Sequence, residues 1–152
     1  MKLDHTAKIG FISGKFDILH AGHIKMLHDA KLLCDRLVVG LSVGSESATS
    51  DADRRSVLES IRWVDEVRSY STNEELVDLI RALMPDLRFV SDSLRGAQFP
   101  GFELPIRIAF IEDHTETIDS VIRARIAAGV LEKNMNHDLA PYMEAIRQHL
   151  SR

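Results

Sequence analysis

Short apolar runs alternate with amphipathic stretches along this chain, and that alternation leaves few folds open to it. Runs rich in Ile, Val, Leu and Phe, bounded by turn residues, predict strands at Lys8–Ser13, Arg36–Val43, Val67–Tyr70, Leu87–Ser91 and Ile106–Ile111. The segments between them repeat apolar residues at the helical period. Ile24, Leu27, Ala30 and Leu33 mark a helix over His23–Cys34, and Val57, Leu58 and Ile61 mark one over Asp53–Trp63. Leu76, Leu79, Ile80 and Leu83 mark a third over Asn73–Met84, closed by Pro85, and a fourth is expected over Ile118–Ala128, ended by Gly129. Strands alternating with helices in this way imply an α/β fold, a doubly wound five-stranded parallel sheet with helices on both faces. Ligands in such sheets bind off the carboxyl ends of the strands, where the strand order reverses.

The chain of 152 residues suits one core, and its 45% hydrophobic and 28% charged residues are an ordinary globular balance. A formal charge of -4 gives no electrostatic footprint for nucleic acid or for an anionic membrane, which moves small-molecule chemistry up the list. No apolar run reaches the length that crosses a bilayer, and the first residues, MKLDHTAKIGFIS, lack the basic-then-apolar layout of a signal peptide, so a cytoplasmic protein is expected. The single cysteine, Cys34, excludes an internal disulfide and a cysteine metal cluster. Its place among Leu32, Leu33 and Leu37 reads as a buried filler ahead of a reactive thiol.

The stretch GKFDILHAGH, Gly14 to His23, stands out against this background. Gly14 ends the first strand, where a missing side chain lets the backbone turn tightly or approach a ligand. Asp17 is suited to holding that turn. His20, Ala21, Gly22 and His23 open the next helix, so both imidazoles project near a helix N-terminus, where unpaired N–H groups and the dipole favour an anion. Two imidazoles there can hydrogen-bond phosphate oxygens and, when protonated, offset the charge that accumulates as a phosphoryl bond breaks. A His-x-x-His pair can also bind a metal, but no third ligand completes a zinc set nearby, and no metal site is assigned.

GKFDILHAGH resembles the G-x-F-D-x-x-H-x-G-H signature of the cytidylyltransferase-like nucleotidyltransferases, which transfer a nucleoside monophosphate from a nucleoside triphosphate. That family includes glycerol-3-phosphate, choline-phosphate and ethanolamine-phosphate cytidylyltransferases and the adenylyltransferase domain of the bacterial heptose-phosphate enzyme. FDILHAGH and DRLVVGLS are similar to the early sequence of that last domain. A second block, RRSVLESIRWVDEV from Arg54 to Val67, resembles the cytidylyltransferase pattern of an arginine followed by R-[YW]-V-D-E-V, and tilts the nucleotide from ATP toward CTP. The resemblance covers roughly residues 8 to 126 and implies a Rossmann-like sheet. It divides the chain into a nucleotidyltransferase domain, 1–128, and a C-terminal helical extension, 129–152.

Carried onto matching positions, the resemblance implies that His20 and His23 contact the triphosphate and stabilise the transition state, that Gly14, Phe16 and Gly22 shape the phosphate loop and that Asp17 holds it. It makes Arg54 the candidate for meeting a phosphate; the alternative is an exposed residue at a helix start beside Arg55. Trp63 reads as packing. It further implies a divalent ion, Mg²⁺, with the triphosphate, a small phosphorylated acceptor resembling glycerol 3-phosphate, and a homodimer.

The chain departs from the family pattern in two places. The loop after the second strand, GSESATSDAD, has no lysine where relatives carry one, and three acidic residues that would repel a phosphate. The phosphate-binding signature at the start of the last helix becomes HTETIDSV, His114 to Val121, which keeps Thr115 and Ser120 as candidate nucleotide contacts but puts Asp119 among them, as a helix N-cap. Lys15 is placed to compensate by reaching a phosphate, or else is a solvated lysine at a strand end. Asp92, after the fourth strand, is a further candidate ligand residue. Residues 92–104 read as a flap or a long surface connection. In the tail, Pro141 opens a helix with Tyr142, Met143, Ile146 and Leu150 along one side, for packing or for a dimer contact. Three readings follow: a cytidylyltransferase, an adenylyltransferase of the same fold, or a nucleotide-binding homologue with little turnover.

Overall fold

The computed structural model describes residues 7–113 and 115–134. It divides into two compact units, Met1–Thr115 and Glu116–Arg152. The first unit carries the sheet: β1 (Ile9–Gly14), β2 (Arg36–Ser42), β3 (Glu66–Tyr70), β4 (Leu87–Ser91) and β5 (Arg107–Ile111). Helix α1 (Ala21–Lys31) joins β1 to β2, α2 (Asp51–Ser60) joins β2 to β3, and α3 (Asn73–Leu83) joins β3 to β4. The sheet is parallel throughout, in the order β3-β2-β1-β4-β5, so the order reverses between β1 and β4. The carboxyl end of β1, where Gly14 pairs with Leu41, therefore lies at the switch point.

The two faces of the sheet build two cores, because successive strand residues point to opposite sides. Ile12, Leu37, Val39, Leu41, Val67 and Phe89 share one core with Leu27 and Ala30 of α1 and Leu58 of α2. Phe11 and Val38 share the other with Leu76, Ile80 and Leu83 of α3. Each fully buried Leu or Ile contributes roughly 2 kcal/mol of apolar transfer. Cys34 sits in the first core, 2% exposed, and burial pushes its thiol up to about 11, so it is a filler as expected.

The helical stripes differ from the sequence expectation in which residues they bury. Helix α1 stops at Lys31, and its inward stripe is His23, Leu27 and Ala30; Ile24 and Leu33 are exposed instead. Helix α2 starts at Asp51, earlier than expected, because the Ser50 hydroxyl caps it by accepting from the Asp53 amide at 3.1 Å. Its buried residues are Arg54 and Leu58, one turn apart, while Val57 is exposed. Helix α3 is capped at its start by Thr72 and at its end by Met84, which takes a left-handed conformation (φ 50°) ahead of Pro85.

The β4–β5 crossover carries no α-helix. After a single 3-10 turn at Asp92–Leu94 the chain runs back as a strap whose Leu104 and Ile106 pack on the α3 side of the sheet. Arg88, in the middle of β4, anchors it: the buried guanidinium donates to the Pro100 carbonyl at 2.6 Å and lies over the Phe99 ring, 5.1 Å from its centroid. Of the two readings of 92–104, this describes a packed surface connection.

Helix α4 runs continuously over Thr115–Asn134, all but its first residue in the second unit. The expected stop at Gly129 is absent: a glycine inside a helix costs about 1 kcal/mol but does not break it. The proposed boundary between 128 and 129 falls inside this helix. Asp119 likewise lies inside it, so it is not the N-cap expected of it. His114 and the Pro141–Leu150 stripe lie outside the described residues. Among the described residues no helix is long and apolar enough to cross a membrane.

Candidate functional site

The site is assembled at the carboxyl end of β1. Gly14 ends the strand, and a Cβ there would stand 3.2 Å from Cε2 of Phe16, so the glycine makes room for that ring. Phe16 itself is left-handed (φ 47°) and buried, an uncommon conformation for a residue with a side chain. Its ring packs at 5.8 Å from that of His23.

His20 is the N-cap of α1: its Nδ1 accepts from the Gly22 amide at 3.0 Å. His23, 5% exposed, returns the contact, its Nδ1 accepting from the His20 amide at 3.3 Å. The two imidazoles thus form a reciprocal capping box, the arrangement more often made by Ser or Thr with Glu. Both Nδ1 atoms act as acceptors, so while these bonds stand each ring carries its proton on Nε2. The rings lie 4.2 Å apart. A helix N-terminus flanked by two Nε2–H donors can bind and stabilise a phosphate oxygen.

Asp17 faces a different task. Its Oδ2 accepts from the Ala48 amide at 2.9 Å, and its Oδ1 from the Thr49 amide at 3.1 Å and the Thr49 hydroxyl at 2.9 Å. The carboxylate therefore ties the β1–α1 loop to the β2–α2 loop. Lys15, exposed, adds a second tie, its ammonium donating to the Glu46 carbonyl. The acidic, lysine-free loop is held against the glycine turn from both sides.

Arg54 is neither an exposed helix-start residue nor a surface cation facing solvent. It is 2% exposed, with Nη1 donating to the Lys15 carbonyl and to the Ser42 carbonyl at 2.8 Å, and Nη2 paired with Asp51. Elsewhere in the Arg54–Val67 block Leu58 and Val67 are buried, while Ser56, Val57, Glu59, Ser60, Arg62 and Asp65 are exposed. Arg55 donates to the Val67 carbonyl and the Ser69 hydroxyl, Arg62 lies over Trp63, and Trp63 packs on His28 at 4.5 Å. Asp65 accepts from the Leu37 amide at 2.7 Å and from Lys31.

Asp92 is exposed at the start of the 3-10 turn, at the carboxyl end of β4. Thr115 opens α4, and Ser120 lies exposed in the second turn of that helix, in the second unit. An open groove of about 590 Å³ lies between α3 and strap residues 98–103, and none of its lining residues belongs to the histidine site. Sequence reasoning missed Thr49 and Ala48 as the partners of Asp17, and Arg88. Only Arg88 carried a signal, a charge in the middle of an apolar strand, which must find a partner when buried.

Residues 11–103, more than half of the chain, match the family model described as cytidylyltransferase-like. The chain belongs to the cytidylyltransferase-like family. Among curated relatives of this family member, the bifunctional protein HldE of Gluconacetobacter diazotrophicus is 32% identical over 141 residues, covering 83% of this chain and 29% of the relative. The HldE of Acidiphilium cryptum is 42% identical over 105 residues, covering 60% and 21%. The chain thus spans less than a third of these relatives. A solved structure, the lipopolysaccharide core biosynthesis protein of Thermoplasma volcanium, superposes with a TM-score of 0.58 at 23% identity, over 71% of this chain and 98% of that one, and shares the fold.

Proposed function

We propose that this chain transfers a nucleoside monophosphate from a nucleoside triphosphate, entering with Mg²⁺, to a small phosphorylated acceptor. The observation that carries the proposal is the reciprocal His20–His23 capping box, which fixes two Nε2–H donors at the amino end of α1. An acceptor phosphate oxygen attacks the α-phosphorus in line; the new P–O bond forms as the bond to the bridging α–β oxygen breaks, and pyrophosphate leaves with that electron pair. The attacking phosphate is already ionised, so no general base is needed. Catalysis rests on positioning and on charge stabilisation by the two imidazoles and the helix terminus. Lys15 exchanges the Glu46 carbonyl for a phosphate oxygen and supplies the cation that the β2–α2 loop lacks. Asp17, with both carboxylate oxygens accepting from the loop, holds the site together.

The Arg54–Val67 block is the part of the chain that resembles a CTP enzyme, and its first arginine, Arg54, is buried against two carbonyls. The remaining resemblance, of FDILHAGH and DRLVVGLS to the adenylyltransferase domain of the bacterial heptose-phosphate enzyme, makes ATP the donor and a sugar phosphate the acceptor in our reading. CTP with a glycerol 3-phosphate-like acceptor is the second reading, favoured by the likeness of that block to R-[YW]-V-D-E-V. Pyrophosphate release measured with each triphosphate against a panel of sugar and polyol phosphates tests both. Release with ATP alone supports the first and release with CTP alone the second. Triphosphate binding without release under every condition means a binding homologue and overturns the proposal of transfer.

A further inference from the structure

We infer that Arg54 is a positioning residue for the catalytic histidines and touches no phosphate itself; the inference rests on the proposed role of His20 and His23. It starts from Phe16. A left-handed residue with a side chain is strained and persists only where its neighbours over-determine it. Both neighbours of Phe16 are pinned. On one side the Lys15 carbonyl accepts from Nη1 of Arg54, and on the other the Asp17 carboxylate is held by Ala48 and Thr49. The same Nη1 takes the Ser42 carbonyl, and Nη2 is locked by Asp51, so the guanidinium plane is fixed to the end of β2 and the start of α2. Phe16, held in this way, places its ring against His23, whose Nδ1 in turn caps the His20 amide. An unbroken series of contacts therefore runs from Arg54 through Lys15 and Phe16 to both imidazoles. Lysine cannot replace it, because one ammonium cannot present two nitrogens in a plane to two carbonyls and a carboxylate.

The test uses Arg54→Lys and Arg54→Met. Histidine side-chain ¹⁵N resonances are recorded without nucleotide, and kcat and KM are measured for the triphosphate that supports turnover. Expected are shifted His23 ring resonances in both nucleotide-free variants and a kcat lowered about 10²-fold, with KM for the triphosphate within about threefold and no rescue by lysine. A KM raised about tenfold at unchanged kcat, partly restored by lysine, would make Arg54 a phosphate ligand and overturn the inference. So would unshifted rings in a folded Arg54→Lys protein. If neither variant folds, Asp51→Ala decides, since it frees Nη2 of Arg54 while leaving the Phe16 ring beside His23. The same ring shift is expected, and unshifted rings sink the inference. Should the unsubstituted protein transfer no nucleotide, the functional proposal fails by that result while the ring resonances still decide whether Arg54 sets the histidines.

Discussion

One oxygen of Asp17 accepts both the amide and the hydroxyl of Thr49, at 3.1 and 2.9 Å, and so joins two loops thirty-two residues apart in sequence. Hydrogen bonds to a charged group contribute about 1.5–3 kcal/mol each, more than neutral ones. Asp17→Asn turns amide hydrogens toward at least one of these donors. It is expected to destabilise the protein by about 2–4 kcal/mol in denaturant unfolding and to raise hydrogen exchange across residues 44–50. Thr49→Val, which removes only the hydroxyl, is expected to cost about 1 kcal/mol. Equal stability of Asp17→Asn and the unsubstituted protein would mean that the staple is not formed in solution.

His20 combines two duties that substitution can separate. Asparagine is a strong N-cap, so His20→Asn keeps the cap of α1 while removing the Nε2–H. Stability within about 0.5 kcal/mol is expected, together with a kcat lower by about 10²–10³-fold, the scale of a lost oxyanion donor. His20→Ala is expected to lose both. If His20→Asn turns over normally, the imidazole serves the helix alone.

Lys15 stands where the charge missing from the β2–α2 loop has to come from. Lys15→Gln is expected to raise KM for the triphosphate about tenfold, a loss of roughly 1.4 kcal/mol, and to flatten the salt dependence of binding. An unchanged KM would leave Lys15 as a strut to Glu46 and nothing more.

The sheet was legible because its signals are redundant: every strand is an apolar run, every crossover in the first unit but the last has a helical period, and each element agrees with its neighbours. The place of the two histidines was legible too, because His20 and His23 follow shortly after a strand-ending glycine and open an amphipathic helix, and both stand at the start of α1. The Arg54 side chain was not. Position and charge suggested either a phosphate or water, and the third outcome, burial against two carbonyls, depends on residues 12 and 39 positions away that no local pattern links. The same limit hid the Asp17–Thr49 contact and the strap held by Arg88. Gly129 misled for the opposite reason, since a helix-stop signal only acts when the backbone there turns left-handed.

Cys34 offers a test of the core itself. Its thiol is pushed up to about 11 by burial, so folding favours the protonated form. Stability from this source is complete below the ordinary thiol value of the unfolded chain and is lost as pH rises toward about 11. Alkylation at pH 8 is expected to be slower by about 10²-fold or more in the native protein than in denaturant. Cys34→Ser, which places a hydroxyl among Gly10, Phe89 and the other core residues, is expected to destabilise. Fast native labelling would show an open core at α1.

Asp65 sets the acid side of the stability profile. Burial alone would push its carboxyl up, but the Lys31 ammonium and the Leu37 amide outweigh that and hold it below the ordinary carboxylate value. The folded carboxylate therefore releases its proton more readily than the unfolded one. Its contribution is present above the unfolded value and disappears as pH falls through the folded one. The side chain is partly open to solvent, which screens the ion pair, so the Leu37 amide is the larger part of what is lost on substitution. Asp65→Asn is expected to lower stability at neutral pH and to make unfolding free energy less steep in pH as it falls below the ordinary carboxylate value, where the unsubstituted protein loses this contribution. Parallel pH profiles for the two proteins would show that Asp65 titrates alike in both states and that the β2–β3 join does not depend on its charge.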